Sequence, residues 1–262
     1  MTTRVESYED LTDNIVRWLK DYYWMHSGNI KAFVVGVSGG IDSAVVSTLC
    51  AKTDLPTYVV RLPLDSTHEN SRLSDIHCKQ LAEKYDNVTN IQIELSSAYD
   101  QLLHNINWWS DAQHLDKNEF TSDELTNANT KARLRMVALY QIAGAKKGIV
   151  VGTGNKVEDY GVGFFTKYGD GAVDIAPIAD LYKTEVWELG EYLEVDQAIC
   201  DAPPTDGLWK DKRTDEDQLG ATYEQLEEAM EKGTGHGVET LEHFNIKNKH
   251  KMEPIPTYKL GV

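Results

Sequence analysis

The stretch Ala32-Phe33-Val34-Val35-Gly36-Val37-Ser38-Gly39-Gly40-Ile41-Asp42-Ser43, followed by Ala44-Val45-Val46-Ser47-Thr48-Leu49-Cys50, decides the fold. An apolar run of β-branched residues predicts a buried strand, the paired glycines a turn, and the run from Asp42 a helix. Strand, glycine turn and helix N-terminus together make an anion site, because the helix start presents amides that have no intrahelical acceptor. Gly39 and Gly40 let the backbone come close to phosphate oxygens, and Ser38 and Ser43 add hydroxyls. Asp42 is the odd member, since a carboxylate repels phosphate. Its presence makes sense if a divalent cation sits between the two, and hard carboxylate oxygens suit Mg²⁺.

Working outward, Leu11, Ile15, Trp18, Leu19 and Tyr22 recur at helical spacing and predict an amphipathic first helix. Thr57–Pro63 reads as a second strand, 68–85 as a charged helix, Val88–Leu95 as a third strand and 97–109 as a helix. Thr121–Lys147 reads as one long helix, and Gly148–Gly152 as a fourth strand. Strands alternating with helices predict a doubly wound, mostly parallel α/β sheet flanked by helices. Ligands in such sheets bind at the carboxyl ends of the strands, where Ser38, Arg61, Pro63 and Thr153 fall. With no internal repeat or low-complexity linker, the expectation is one domain over 1–262, an α/β core over about 30–200 and a helical C-terminal extension over about 201–262.

Composition sets outer bounds. A chain of 262 residues with 41% hydrophobic residues buries one large core. A formal charge of −16 argues against a nucleic acid partner, which needs an extended basic face. Cys50, Cys78 and Cys200 are far apart and read as free thiols in a reducing compartment. Neither a signal peptide nor a membrane-length apolar run is visible, so a cytoplasmic protein without a membrane partner is expected.

The loop lacks the lysine of G-x-x-x-x-G-K-[ST], and its glycines have the wrong spacing for the dinucleotide fingerprint. It resembles instead the pyrophosphate loop of the N-type ATP pyrophosphatases, which split ATP between the α and β phosphates. Other constellations are weaker alone. On the helix around Asn127–Arg135, Lys131 and Arg135 share a face and Arg133 points elsewhere; read alone, that face is solvated. Gly152-Thr153-Gly154-Asn155-Lys156-Val157-Glu158-Asp159 places carboxylates after a strand, where Glu158 could share an ion with Asp42. Phe164–Gly171 mixes aromatics, Lys167 and glycines, and Lys247, Lys249, His250 and Lys251 form a basic island in an acidic chain.

Taken in order, V-S-G-G-I-D-S, N-T-K-A-R-L-R, G-T-G-N-K-V-E, F-F-T-K-Y-G-D-G with Asp174, L-Y-K-T, Pro204-Thr205, T-D-E-x-Q-L-G and His250-Lys251 resemble the ammonia-dependent NAD⁺ synthetases from about residue 10 to the end. The resemblance implies an adenine nucleotide alpha hydrolase-like fold and a ligase in two steps. The nicotinate carboxylate of deamido-NAD⁺ attacks the α phosphate of ATP, and ammonia then displaces AMP. It implies that Gly36, Val37, Ser38, Gly39, Gly40, Ile41, Asp42 and Ser43 wrap the ATP phosphates, with Thr153, Lys183 and Thr205 also on ATP. Asp42 and Glu158 would hold Mg²⁺, and Arg133, Lys167, Asp174, His250 and Lys251 would bind deamido-NAD⁺. Asp42 and Lys183 are the expected catalytic pair, acting by positioning and charge, without a nucleophile.

The stretch between Glu158 and F-F-T-K is one residue longer than the usual family spacing, which leaves Glu158 and Asp159 as alternatives for the second metal ligand. About thirty residues precede the first strand, too few for the nitrilase-like glutaminase domain of larger relatives, so free ammonia is the expected nitrogen source. Small family members are homodimers, and the first helix's aromatic stripe would suit such an interface. Loops near 155–170 and 205–217 are expected to order over substrates. The rivals are another ATP pyrophosphatase, such as a tRNA-modifying ligase, a thiolase or the synthetase half of GMP synthetase, and a nucleotide-binding sensor without chemistry. A tRNA substrate would want a basic surface, a thiolase paired cysteines, and a sensor would not need Asp42, Glu158, Lys167 and Asp174 together.

Overall fold

The structure, a computed structural model, describes residues 4–26, 28–64, 68–113, 115, 120–205 and 214–260. Helix α1 (Tyr8–Met25) precedes β1 (Ala32–Gly36), α2 (Ile41–Ala51), β2 (Thr57–Arg61), α3 (His68–Lys84), β3 (Val88–Gln92), α4 (Ser96–Ala112), α5 (Glu124–Lys146) and β4 (Gly148–Val151). A π-helical turn follows at Val157–Val162, then α6 (Lys183–Tyr192), α7 (Gln197–Cys200), α8 (Asp215–Leu219), α9 (Tyr223–Lys232) and α10 (Val238–Met252). Each strand and helix expected up to residue 152 is present, with ends shifted by a few residues, and the elements described beyond residue 200 are helical.

The strands form one parallel sheet in the order β3-β2-β1-β4. The chain winds outward from β1 through β2 to β3, then returns to pair β4 with the other edge of β1. The direction of winding therefore reverses between β1 and β4, and a doubly wound sheet opens its ligand crevice at that reversal, beyond the carboxyl ends of the two strands. Successive side chains of β1 serve opposite faces, as the pleat requires. Phe33 and Val35 pack with Val45, Leu49, Leu189 and Ile199 from α2, α6 and α7. Val34 packs with Met136, Leu139 and Val150 under α5. A smaller apolar cluster, with Val157, Val162, Tyr182, Leu219, Tyr223 and Leu226, ties the C-terminal helices to the π-helical turn.

Leu11, Ile15, Leu19 and Tyr22 of α1 pack onto the chain's own core, with Trp18 left 44% exposed. One expectation is corrected here. The Lys131/Arg135 face is not a freely solvated one: Arg135 donates to the carbonyls of Leu62 (3.1 Å) and Leu64 (2.9 Å), holding the segment after β2, and Lys131 lies over the Tyr99 ring. Cys50, Cys78 and Cys200 are free thiols. Among the described residues no helix is long and apolar enough to cross a membrane.

Candidate active site

The loop after β1 is braced by its own serines. The Ser43 hydroxyl donates to the Gly40 carbonyl (2.9 Å) and accepts from the Ser38 amide (3.2 Å), while Ser38 Oγ accepts from the Gly40 amide (3.2 Å). Gly39 sits at φ 97°, where a side chain would be strained, so the sharp turn into α2 requires glycine there. The result is a braced bend that starts α2 at the carboxyl end of β1, where the amides of the first helical turn can meet an anion.

Lys183, the first residue of α6, is only 3% exposed, and its Nζ bridges two carboxylates: Asp42 Oδ2 at 2.5 Å and Glu158 Oε1 at 2.9 Å. A cation at a helix N-terminus opposes the helix dipole. Here acidic side chains offset the conflict, since Glu185 accepts from the Tyr182 amide and Glu227 from the amide and hydroxyl of Thr184. Close approach of α6 to α2 depends on Gly190, where a Cβ would meet Ile41 Cδ1 at 2.5 Å.

Two residues not singled out from sequence complete the knot. Asn155 is fully buried; its amide donates to Asp42 Oδ1 (3.1 Å), and its carbonyl oxygen accepts from the amides of Val157 and Glu158 (3.1 Å each). It thus orients one carboxylate and starts the turn that carries the other. Tyr223 of α9, also fully buried, donates its hydroxyl to Glu158 Oε1 at 2.7 Å. Asn155 had a legible signal, an Asx residue just after a strand. Tyr223 had none, since a tyrosine on an amphipathic helix reads as core.

Burial pulls the Lys183 ammonium down, but Asp42 and Glu158 outweigh it and hold its pKa above the ordinary lysine value. Burial pushes Glu158 up, yet the Lys183 charge and the hydrogen bonds from Lys183, Tyr223 and Asn155 leave it below the usual carboxylate range. Asp42 lies above that range, because burial and the Glu158 charge together exceed the pull of Lys183. Two carboxylates facing one ammonium leave surplus negative charge, and Asp42 responds by holding a proton more tightly. An all-oxygen pair with surplus negative charge, gathered around the position of one cation, fits Mg²⁺. Asp159 does not share in this knot: its carboxylate lies against Gly154, and burial with the charges of Glu158, Asp170 and Asp42 pushes it up to about 8.

The residues expected on deamido-NAD⁺ form a second, more open group. Arg133 Nε donates to the Lys167 carbonyl (3.2 Å), Lys167 Nζ to the His250 carbonyl (2.6 Å) and Lys251 Nζ to the Phe165 carbonyl (2.7 Å). These contacts join α5, the loop at 164–171 and α10. Asp174 accepts from the Val150 amide (2.7 Å) and the Tyr140 hydroxyl (3.1 Å). Arg133 and Tyr140 line one cavity of about 440 Å³ with Met136, Val137 and Tyr168. Thr153 is half-buried beyond β4, and Thr205 ends the described segment before residues 206–213, so most of the expected closing loop at 205–217 lies outside the described residues.

A parallel sheet with its crevice at a reversal of winding, an S-G-G-I-D-S turn and a carboxylate–ammonium knot beside it fit a nucleotide-binding α/β protein of the ATP pyrophosphatase type. Comparison with known proteins goes further. The NAD synthase family model matches residues 11–257. The NH(3)-dependent NAD(+) synthetase of Carboxydothermus hydrogenoformans is 34% identical over 94% of this chain and 95% of that protein. The solved NMN synthetase of Francisella tularensis superposes with a TM-score of 0.82 at 34% identity, covering 98% of this chain and 100% of that one. The NAD⁺ synthetase of Burkholderia pseudomallei superposes with a TM-score of 0.71 at 28% identity, over 94% and 90% of the two chains. The chain belongs to the NAD synthase family. It is an enzyme of the ligase class, and the family's reaction is the ATP-dependent amidation of deamido-NAD⁺.

Proposed function

We propose that this chain converts deamido-NAD⁺ to NAD⁺ with ATP and free ammonia, using the knot of Asp42, Glu158 and Lys183 to activate ATP. The observation that carries the reading is the buried Lys183 ammonium bridging two half-buried carboxylates beside the S-G-G-I-D-S turn. The nicotinate carboxylate attacks the α phosphorus, the bond to the bridging oxygen breaks, and pyrophosphate leaves toward the amides and hydroxyls of Ser38–Ser43. Ammonia then attacks the acyl carbon, AMP departs with the C–O electron pair, and the nitrogen loses a proton. Asp42 and Glu158 would hold Mg²⁺, which supplies charge neutralisation at the phosphates. Lys183 stays protonated beside two carboxylates, so it acts as a charge and not as a base. Arg133, Lys167, Asp174, His250 and Lys251 would hold the dinucleotide, with Thr153 and Thr205 on ATP.

Ammonia as donor accords with the NH(3)-dependent relatives, which this chain matches over nearly their whole length. A cytoplasmic enzyme with small-molecule substrates and no nucleic acid partner accords with the acidic composition. A homodimer follows from the resemblance alone.

One second reading has a specific support. The Francisella neighbour is an NMN synthetase, so nicotinate mononucleotide is the alternative acceptor for the same carboxylate chemistry. The deciding experiment supplies ATP, Mg²⁺ and ammonium with either acceptor and reads AMP and the amide product. A higher kcat/KM with deamido-NAD⁺ supports the proposal; preference for the mononucleotide replaces it. AMP release with neither acceptor would retain only the ATP pyrophosphatase class.

A further inference from the structure

The C-terminal helices do more than pack on the π-helical turn: we propose that Tyr223 of α9 is a positioning residue that fixes Glu158 for the cation. This rests on the reading of Asp42 and Glu158 as the cation's ligands. The Tyr223 hydroxyl lies 2.7 Å from Glu158 Oε1, the same oxygen that receives Lys183 Nζ. A phenol carries one hydrogen, and the longer approach to Asp215 Oδ2 (3.3 Å) makes Glu158 the better acceptor. Tyr223 also presents its ring face to Lys183 Nζ at 5.1 Å from the centroid. It therefore touches both partners of the ion pair from an element that belongs to neither.

Nothing about packing requires the hydroxyl. The ring is held by Trp187, edge to face at 5.8 Å, and by the apolar cluster of Val157, Val162 and Leu226. A phenylalanine would fill the same space. What the hydroxyl adds is a directional bond to a carboxylate that sits on a π-helical turn, where the backbone is less regular than in an α-helix. A cation on the free oxygens of Asp42 and Glu158 would draw on the same carboxylate that Lys183 holds, and Tyr223 would be a second donor holding the Glu158 rotamer, the role that outer hydrogen bonds play around metal-ligating carboxylates.

The test is Tyr223→Phe, with Mn²⁺ as the probe and its binding followed by electron paramagnetic resonance in the presence of a non-hydrolysable ATP analogue. The Mn²⁺ dissociation constant is expected to rise by about tenfold, within the range for lost outer-shell partners, while the thermal midpoint stays close to that of the parent. Glu158→Gln and the double variant with Tyr223→Phe should bind Mn²⁺ equally poorly, because Tyr223 acts through Glu158. Unchanged Mn²⁺ binding in Tyr223→Phe, with loss in Asp42→Asn and Glu158→Gln, would overturn the inference and leave the metal reading intact. Unchanged binding in all of them would overturn both.

Discussion

The two halves of the site are built on opposite terms. The inner half, Asp42, Glu158, Lys183 and Asn155, is largely removed from solvent and sets its charges against other side chains. The outer half, Arg133, Lys167, His250 and Lys251, lies nearer solvent and rests its cations on backbone carbonyls of neighbouring segments. In the inner half a change of one residue leaves a buried charge without its partner, which is costly. In the outer half the carbonyls return to water when a cation is removed, and only the ligand's contact is lost. The difference predicts that changes in the inner region lower turnover and stability, and that changes in the outer region lower affinity.

The largest effect is expected from Lys183→Ala, which leaves Asp42 and Glu158 facing each other without their shared cation. Removing one partner of a buried ion pair costs about 3–5 kcal/mol, so a lower thermal midpoint should accompany a turnover reduced by about 10³ or more. Saturating Mg²⁺ should restore part of the stability by replacing the missing charge, and none of the turnover. A variant with the parent's midpoint would show that the inner half is not held together by this pair.

Behind the pyrophosphate loop, the same logic predicts an acid limit. His77 of α3 is buried against Ser47 (2.9 Å), whose hydroxyl reaches the Ser43 carbonyl (2.7 Å) in the first turn of α2. Burial is the main cause that lowers its pKa from 6.5 to about 4, against a hydrogen bond with the Ala44 backbone and the charge of Asp196. The unfolded chain thus binds a proton that the fold refuses. Stability is unaffected above pH 6.5 and falls as pH drops from 6.5 toward 4, by about 3 kcal/mol at the lower end. Thermal midpoints of His77→Gln across that range should decline less steeply than the parent's. Parallel declines would mean that other groups set the acid limit.

Much of this arrangement was legible in the sequence because it is local. Strand, turn and helix around Ser38–Ser43 follow from periodicity and two glycines, and alternation of elements gave the parallel sheet and the ends where its ligands gather. The charge knot was legible only in pieces. Asp42, Glu158 and Lys183 stood out by motif, but the Asp42–Lys183 contact spans 141 residues and depends on Gly190 letting α6 approach α2. Tyr223 was invisible for a different reason: its hydroxyl matters because α9 folds back onto the π-helical turn, which no local pattern encodes. The π-helical turn over Val157–Val162 carries both acidic residues, and in it Glu158, not Asp159, faces Lys183.

In the outer half, Arg133→Ala should raise the KM for deamido-NAD⁺ about tenfold, the loss of roughly 1.4 kcal/mol of binding. The KM for ATP and the thermal midpoint should hold. An equal change in both KM values would join the two halves into one and remove the distinction drawn above.

The smallest effect tests which element supports Asp174. Its carboxylate is held from β4 by the Val150 amide at 2.7 Å and from α5 by the Tyr140 hydroxyl at 3.1 Å. The amide is fixed by the sheet, whereas the hydroxyl belongs to a 40% exposed side chain that water readily replaces. Tyr140→Phe should therefore cost well under about 1.5 kcal/mol, the upper end for an ordinary hydrogen bond, and shift the KM for deamido-NAD⁺ by less than about threefold. Val150 would then be sufficient to aim Asp174, tying the outer half to the sheet at the strand that also borders the inner one. A rise beyond tenfold in Tyr140→Phe would move that support to α5, and the outer half would then depend on a surface helix for its geometry.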